Sequence, residues 1–83
     1  MFFVYVLFNR SKDKIYIGQT GNLEKRLEDH NLKRGNHFTA RFDGKWTLIY
    51  KEEAENRQTA LLREKQLKSF KGREFLKQFI TKD

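Results

Sequence analysis

The chain has no cysteine among its 83 residues, so neither a disulfide framework nor a cysteine-ligated zinc site is available to brace it. It has no run approaching the roughly 20 apolar residues that a membrane-spanning helix requires. The apolar stretch at residues 2–8 lacks the basic start and cleavage site of a secretion signal, so a soluble, cytoplasmic protein with no membrane partner is expected. Internal repeats, low-complexity tracts and linkers are missing as well, and 83 residues leave room for one small domain, residues 1–83, with no second core. Stability must therefore come from packing, which a 37% hydrophobic content with eight Phe and one Trp allows.

What the chain does have is positive charge. Eighteen Lys and Arg stand against eleven Asp and Glu, a net +7, which favours a polyanionic partner through steering and counterion release. A basic surface also simply aids solubility, and charge alone does not choose between the two.

Residues 2–8 are β-branched, aromatic or aliphatic and apolar at both alternating sets of positions, which predicts a central strand covered on both faces. Asn9 to Asp13 has turn chemistry, and residues 14–18 follow as a second strand, making a hairpin. Placing Phe8 opposite Asp13 would set Tyr5 across from Tyr16, with both tyrosines on one face. Thr20 or Asn22 is available to cap a helix over residues 23–33, with Gly35 as its stop. Residues 35–45 read as an irregular loop whose glycines bracket Phe38 and Phe42 together with His37, Thr39 and Arg41. Residues 46–51 predict a third strand, Asn56 or Thr59 a cap for a helix over residues 57–70, and a last helix over residues 71–80 would bury Phe75, Leu76, Phe79 and Ile80.

Tyr16, Arg26, His30 and Glu64 form a series with a common chemistry. Tyrosine and histidine move or steer a proton, arginine holds a phosphate, and glutamate holds a hard divalent cation. Leu23 and Leu27 mark the buried side of the first helix, and Arg26 and His30, one turn apart, border that stripe and face the sheet. Each also has an ordinary structural reading, Arg26 snorkelling over the core edge and His30 filling space beside it. Glu64 is more pointed. Ala60 one turn before it and Leu67 nearly one turn after it set its carboxylate in the inward face, where an unpaired charge costs several kcal/mol. A cation is expected against it, either Arg26 or a bound metal ion.

Phe3-Val4-Tyr5, then Tyr16-Ile17-Gly18, then Arg26 and His30 on the next helix and Glu64 on a later one, resemble the GIY-YIG nuclease superfamily in order and spacing over nearly the whole chain. Residues 16–31, 60–68 and 72–76 are similar, more narrowly, to its small stand-alone bacterial members, and these to the N-terminal nuclease domain of the bacterial excision-repair incision subunit. The resemblance implies an α/β (α+β) fold with a three-stranded antiparallel sheet flanked by about three helices. It also implies a one-metal endonuclease acting on nucleic acid, DNA foremost, and a connection to DNA repair. Carried onto this chain, Tyr16 would be the general base, directly or through a metal-bound water, and Tyr5 would position the nucleophile or the phosphate. Arg26 would stabilise the phosphorane, His30 would polarise Tyr16 or share its proton, and Glu64 would be the one protein ligand of Mg²⁺ or Mn²⁺. A phenol of ordinary pKa is a poor base at neutral pH unless nearby positive charge favours the phenolate.

Gln19, Thr39, Arg41, Lys71 and Arg73 are the candidate nucleic-acid contacts, and Phe38 and Phe42 read either as base-stacking or as packing residues. With no DNA-binding domain expected beyond the last helix, little sequence specificity is expected, and acting on two strands calls for a protein partner or a homodimer. Two positions depart from the family pattern. Phe3 and Val4 precede the first tyrosine in place of Gly and Ile, and Leu76 stands where many members carry an asparagine. The competing readings are a catalytically weak or inactive nucleic-acid-binding module of the same fold, and a protein-interaction module with an acidic partner.

Overall fold

The computed structural model describes residues 1–32, 39, 41, 42 and 44–80. Three strands, β1 (Phe2–Asn9), β2 (Lys14–Thr20) and β3 (Trp46–Ala54), form an antiparallel sheet in the order β2-β1-β3. Helix α1 (Leu23–Asn31) follows the hairpin, and α2 (Arg57–Lys68) and α3 (Phe70–Leu76) follow β3, with a 3₁₀ turn at Lys77–Phe79. The fold is α+β, with the apolar β1 in the centre as its composition requires.

The alternation of β1 divides the interior in two. Val4 and Val6 face a wholly apolar cluster with Ile17, Ala54, Ala60, Leu67 and Leu76, beneath α2 and α3. Tyr5 and Leu7 face the other way, with Trp46, Tyr16, Leu23 and Leu27, beneath α1. A bulge between Val6 and Leu7 lets β3 insert Ile49 between the partners Tyr50 and Leu48.

The hairpin register differs from the expected one. Asn9 pairs with Lys14, its Oδ1 accepts the Lys12 N–H at 3.1 Å, and Asp13 turns the chain with a left-handed φ of 52°. Tyr5 therefore lies opposite Gly18, and Tyr16 opposite Leu7. The offset is two residues, which preserves side-chain parity, so both tyrosines still share a face.

Of the two available caps for α1, Asn22 acts: its side chain accepts the Lys25 N–H at 3.1 Å. Thr20 instead shapes the approach, its Oγ1 accepting the Asn22 N–H at 3.1 Å. At the far end, Asn31 forms a two-point clamp on the start of β3, donating to the Trp46 carbonyl at 3.1 Å and accepting its N–H at 3.0 Å. The proposed stop at Gly35, together with His37 and Phe38, lies outside the described residues.

Asn56 caps α2 by accepting the Thr59 N–H at 2.9 Å, and Ser69 both ends that helix and caps α3, earlier than the expected boundary. The two helices approach so closely at Gly72 that any Cβ there would collide with the backbone of Gln66 and Leu67. A seven-residue helix offers the core little room, and Leu76 is the residue α3 buries. Phe75, expected inside, is 39% exposed and instead sits edge-on to Tyr50, with ring centroids 5.5 Å apart.

Candidate active site

Tyr5 and Tyr16, on neighbouring strands, have ring centroids 6.1 Å apart. Gly18 makes this possible. A Cβ at that position would stand 2.9 Å from the Tyr5 hydroxyl and 2.9 Å from the edge of the Tyr16 ring, closer than carbon atoms tolerate. The glycine of the Tyr16-Ile17-Gly18 triplet is thus required by close approach, since its neighbours leave no space for a side chain.

His30, fully buried at the end of α1, joins the pair. Its ring lies 4.9 Å from that of Tyr16, while its Nε2 is 2.9 Å from the Tyr5 hydroxyl and its Nδ1 is 2.8 Å from Thr39 Oγ1. The Thr39 carbonyl in turn accepts the Trp46 indole N–H at 3.1 Å. The ring nitrogens of His30 thus contact Tyr5 and Thr39, and its ring also packs at a tilt against that of Tyr16, so the histidine touches both tyrosines. Asn31, the next residue, fixes the ring's position by clamping β3.

The Tyr5 hydroxyl is the meeting point of the other candidates. Burial raises the pKa of its phenol well above the ordinary value, the nearby Tyr16 and Glu64 push in the same direction, and Arg26 opposes them. Tyr5 thus holds its proton firmly and lies within electrostatic reach of Arg26 from α1 and Glu64 from α2.

The side chain paired with Glu64 is a lysine rather than Arg26. Lys68, one turn further along α2, places its ammonium 2.8 Å from Glu64 Oε2, and the carboxylate side chain is only 20% exposed. Arg26, half-buried, makes no ion pair with it and lines a small crevice at the start of α1 with Thr20, Asn22, Lys25 and Asp29. The Glu-to-Lys spacing of four residues was readable in the sequence as a helix-surface pair.

The family model of the GIY-YIG catalytic domain matches residues 1–77. The chain belongs to the GIY-YIG family. A UPF0213 protein of Clostridium perfringens (strain 13 / Type A) is 42% identical over 69 residues, covering 82% of this chain and 71% of that one. A UPF0213 protein of Staphylococcus haemolyticus (strain JCSC1435) is 32% identical over 74 residues, covering 88% and 89% of the two chains. No solved structure matches the chain.

Two of the residues that depart from the GIY-YIG pattern, Val4 and Leu76, have a packing account. Val4 is fully buried beneath α2 and α3, so its branched side chain is part of the apolar core. Leu76 is equally buried in the same cluster, where an amide would have no polar partner.

The candidate nucleic-acid contacts scatter more than expected. Arg73 borders a crevice of about 240 Å³ with Ile15, Tyr16, Ile17 and Lys68, beside the second tyrosine. Lys71 lies instead in a groove between α2 and α3. Arg41 is exposed, and Phe42 meets Trp46 edge-on at 6.4 Å as a packing residue. Thr39 is fully buried against His30, so its expected contact with phosphate gives way to a supporting position that only a long-range contact could reveal. Gln19 pairs with Val4 and so belongs to the face opposite the tyrosines, where its buried Oε1 has no hydrogen-bond partner among the described residues.

Proposed function

We propose that the chain is a metal-dependent endonuclease that hydrolyses phosphodiester bonds in nucleic acid, DNA foremost, with little sequence specificity. The observation that carries this reading is the cluster of Tyr5, Tyr16 and His30, bonded at the Tyr5 hydroxyl, with Arg26 of α1 and Glu64 of α2 near enough to act on that phenol electrostatically. A merely structural network would not need a phenol pair, a guanidinium and a carboxylate around one point.

Each residue then has a role suited to its surroundings. Tyr5, which holds its proton, donates a hydrogen bond to the nucleophile or to a phosphate oxygen, and His30 orients it. Tyr16 is the proton acceptor, and Arg26 offsets the charge that grows on the phosphorus oxygens. Glu64 is the candidate ligand for Mg²⁺ or Mn²⁺. Groups of three or more His, Cys, Asp or Glu able to hold a metal are absent among the described residues, which is compatible with a single carboxylate as the protein's donor set. With Oε2 shared with Lys68, that set fits a weakly held ion whose remaining positions belong to water and substrate phosphate. When bound, such an ion would activate water and screen phosphate charge.

The Lys68 ammonium on Glu64 and the buried Leu76 lend some support to a second reading, a binding module of the same fold with weak or no catalysis. Cleavage of plasmid, single-stranded and branched DNA and of RNA, with Mg²⁺ or Mn²⁺, separates the two. The nuclease reading expects Tyr16→Phe and Glu64→Ala to abolish cleavage while binding persists. Equal residual cleavage in wild type and both variants would mean a contaminant and end the catalytic claim.

A further inference from the structure

The groove between α2 and α3 encloses about 820 Å³ on the far side of Lys68 from Tyr16. Leu62 and Phe75 supply its apolar surface, Lys65, Lys68 and Lys71 supply charge, and no acidic side chain lines it. Lys65 and Lys71 carry no ion pair among the described residues, unlike Lys68. At the helix junction, between Ser69 and Lys71, Phe70 is 78% exposed, and Leu62 is 64% exposed. The tight approach at Gly72 fixes the relative placement of the two helices, so these side chains stand on a rigid frame.

We propose that this groove is a subsite for single-stranded nucleic acid, with bases stacked on Phe70 and Phe75 and phosphates held by Lys65 and Lys71. This rests on the nuclease reading in one respect: the strand held here is taken to be continuous with the one at Tyr16. Three observations favour that occupant. Phe75 in the groove and the exposed Phe70 beside it at the helix junction, with Lys65 and Lys71 close by, match the two needs of a single strand, a stacking platform and a track for the backbone. No acidic side chain lines the groove and its lysines are several, whereas the cores of protein interfaces are depleted in lysine. Lys68 lines both the groove and the Tyr16 crevice, so a strand leaving the candidate site meets the groove next. Substrates with a single-stranded arm beside the cleavage point would then be preferred over uninterrupted duplex.

Binding of a short labelled oligothymidylate, followed by fluorescence anisotropy in EDTA, tests the subsite without requiring cleavage. Phe70→Ala should weaken binding about tenfold and Phe70→Tyr should restore it, because stacking needs only a ring. The paired change Lys65→Gln with Lys71→Gln should lower the slope of log affinity against log salt by about 1.4, the loss of two single-strand phosphate contacts. Each position is exposed, so folding should be retained. Unchanged affinity and slope in these variants would overturn the subsite. So would wild-type self-association, or capture of an acidic peptide, that Phe70→Ala abolishes while oligothymidylate binding is untouched. A wild-type protein that binds as expected but cleaves nothing would sink the nuclease reading and leave the subsite standing.

Discussion

The two faces of β1 are built from alternate residues of the same eight-residue strand, yet they are solved in different ways. On the α2 and α3 side, Val4, Val6, Ile17, Ala60, Leu67 and Leu76 form an apolar cluster. On the α1 side, Tyr5, His30, Thr39 and Trp46 are linked in series by hydrogen bonds in the same degree of burial. The first face supplies non-directional stabilisation, which depends on volume. The second depends on partners, because a buried polar group that loses its hydrogen bond costs about 1–3 kcal/mol. The proposed chemistry falls on the second face, where a satisfied network can hold a hydroxyl in place as an apolar surface cannot.

The sharpest way to break this division is to put a polar group on the apolar side. Leu76→Asn, which would restore the residue many family members carry, should destabilise by about 3–5 kcal/mol, from lost burial plus an unpaired amide, and should not raise activity. A urea midpoint equal to wild type would show that the face is less closely packed than described. On the polar side, His30→Ala should cost about 2–4 kcal/mol, since it strands both the Tyr5 and the Thr39 hydroxyls. Thr39→Val removes one partner at nearly constant volume and should cost about 1–3 kcal/mol. Combined with Tyr5→Phe it should deviate from additivity by at least about 0.5 kcal/mol, because both act through one imidazole. Strict additivity would mean the series is not a coupled network.

Titration offers a further contrast. The folded state raises the Tyr5 pKa, so the neutral phenol is the favoured form there. Its contribution to stability is fully present below the unfolded value of about 10 and is lost as pH rises through the higher folded value. Alkaline unfolding should therefore be less steep in Tyr5→Phe, and Tyr50, raised by burial and its bond to Glu52, adds a weaker slope of the same sign. The smallest stability effect belongs to Glu64→Gln. An exposed-edge pair with Lys68 contributes about 0.5 kcal/mol or less, so thermal unfolding should barely move while cleavage disappears.

Much of this architecture was legible in the residues. The apolar run of β1 required a central strand, Asn22 and Asn56 announced their helices, and the order of Tyr5, Tyr16, Arg26, His30 and Glu64 carried the family. The hairpin register was missed by two residues because turn composition does not fix which pair closes the ladder, and parity protected the conclusion about the tyrosines. Thr39 was assigned to phosphate because its burial depends on a contact with His30 nine residues away in the chain, which local pattern does not encode. Phe75 was placed inside because helical phase marks a face but not how deeply a short helix sits. Gln19 was missed for a plainer reason: strand alternation already put it on the face of Val4.

The division between a face that holds the fold and a face proposed to perform chemistry is tested most directly by Tyr16→Phe, with urea unfolding and Mn²⁺-dependent DNA cleavage measured on one preparation. Tyr16 is only half-buried, so losing its hydroxyl should leave the unfolding midpoint near wild type, while cleavage falls by at least about 100-fold if that hydroxyl handles the proton. Cleavage at the wild-type rate would contradict the account, and so would a loss of activity that merely follows a loss of folding.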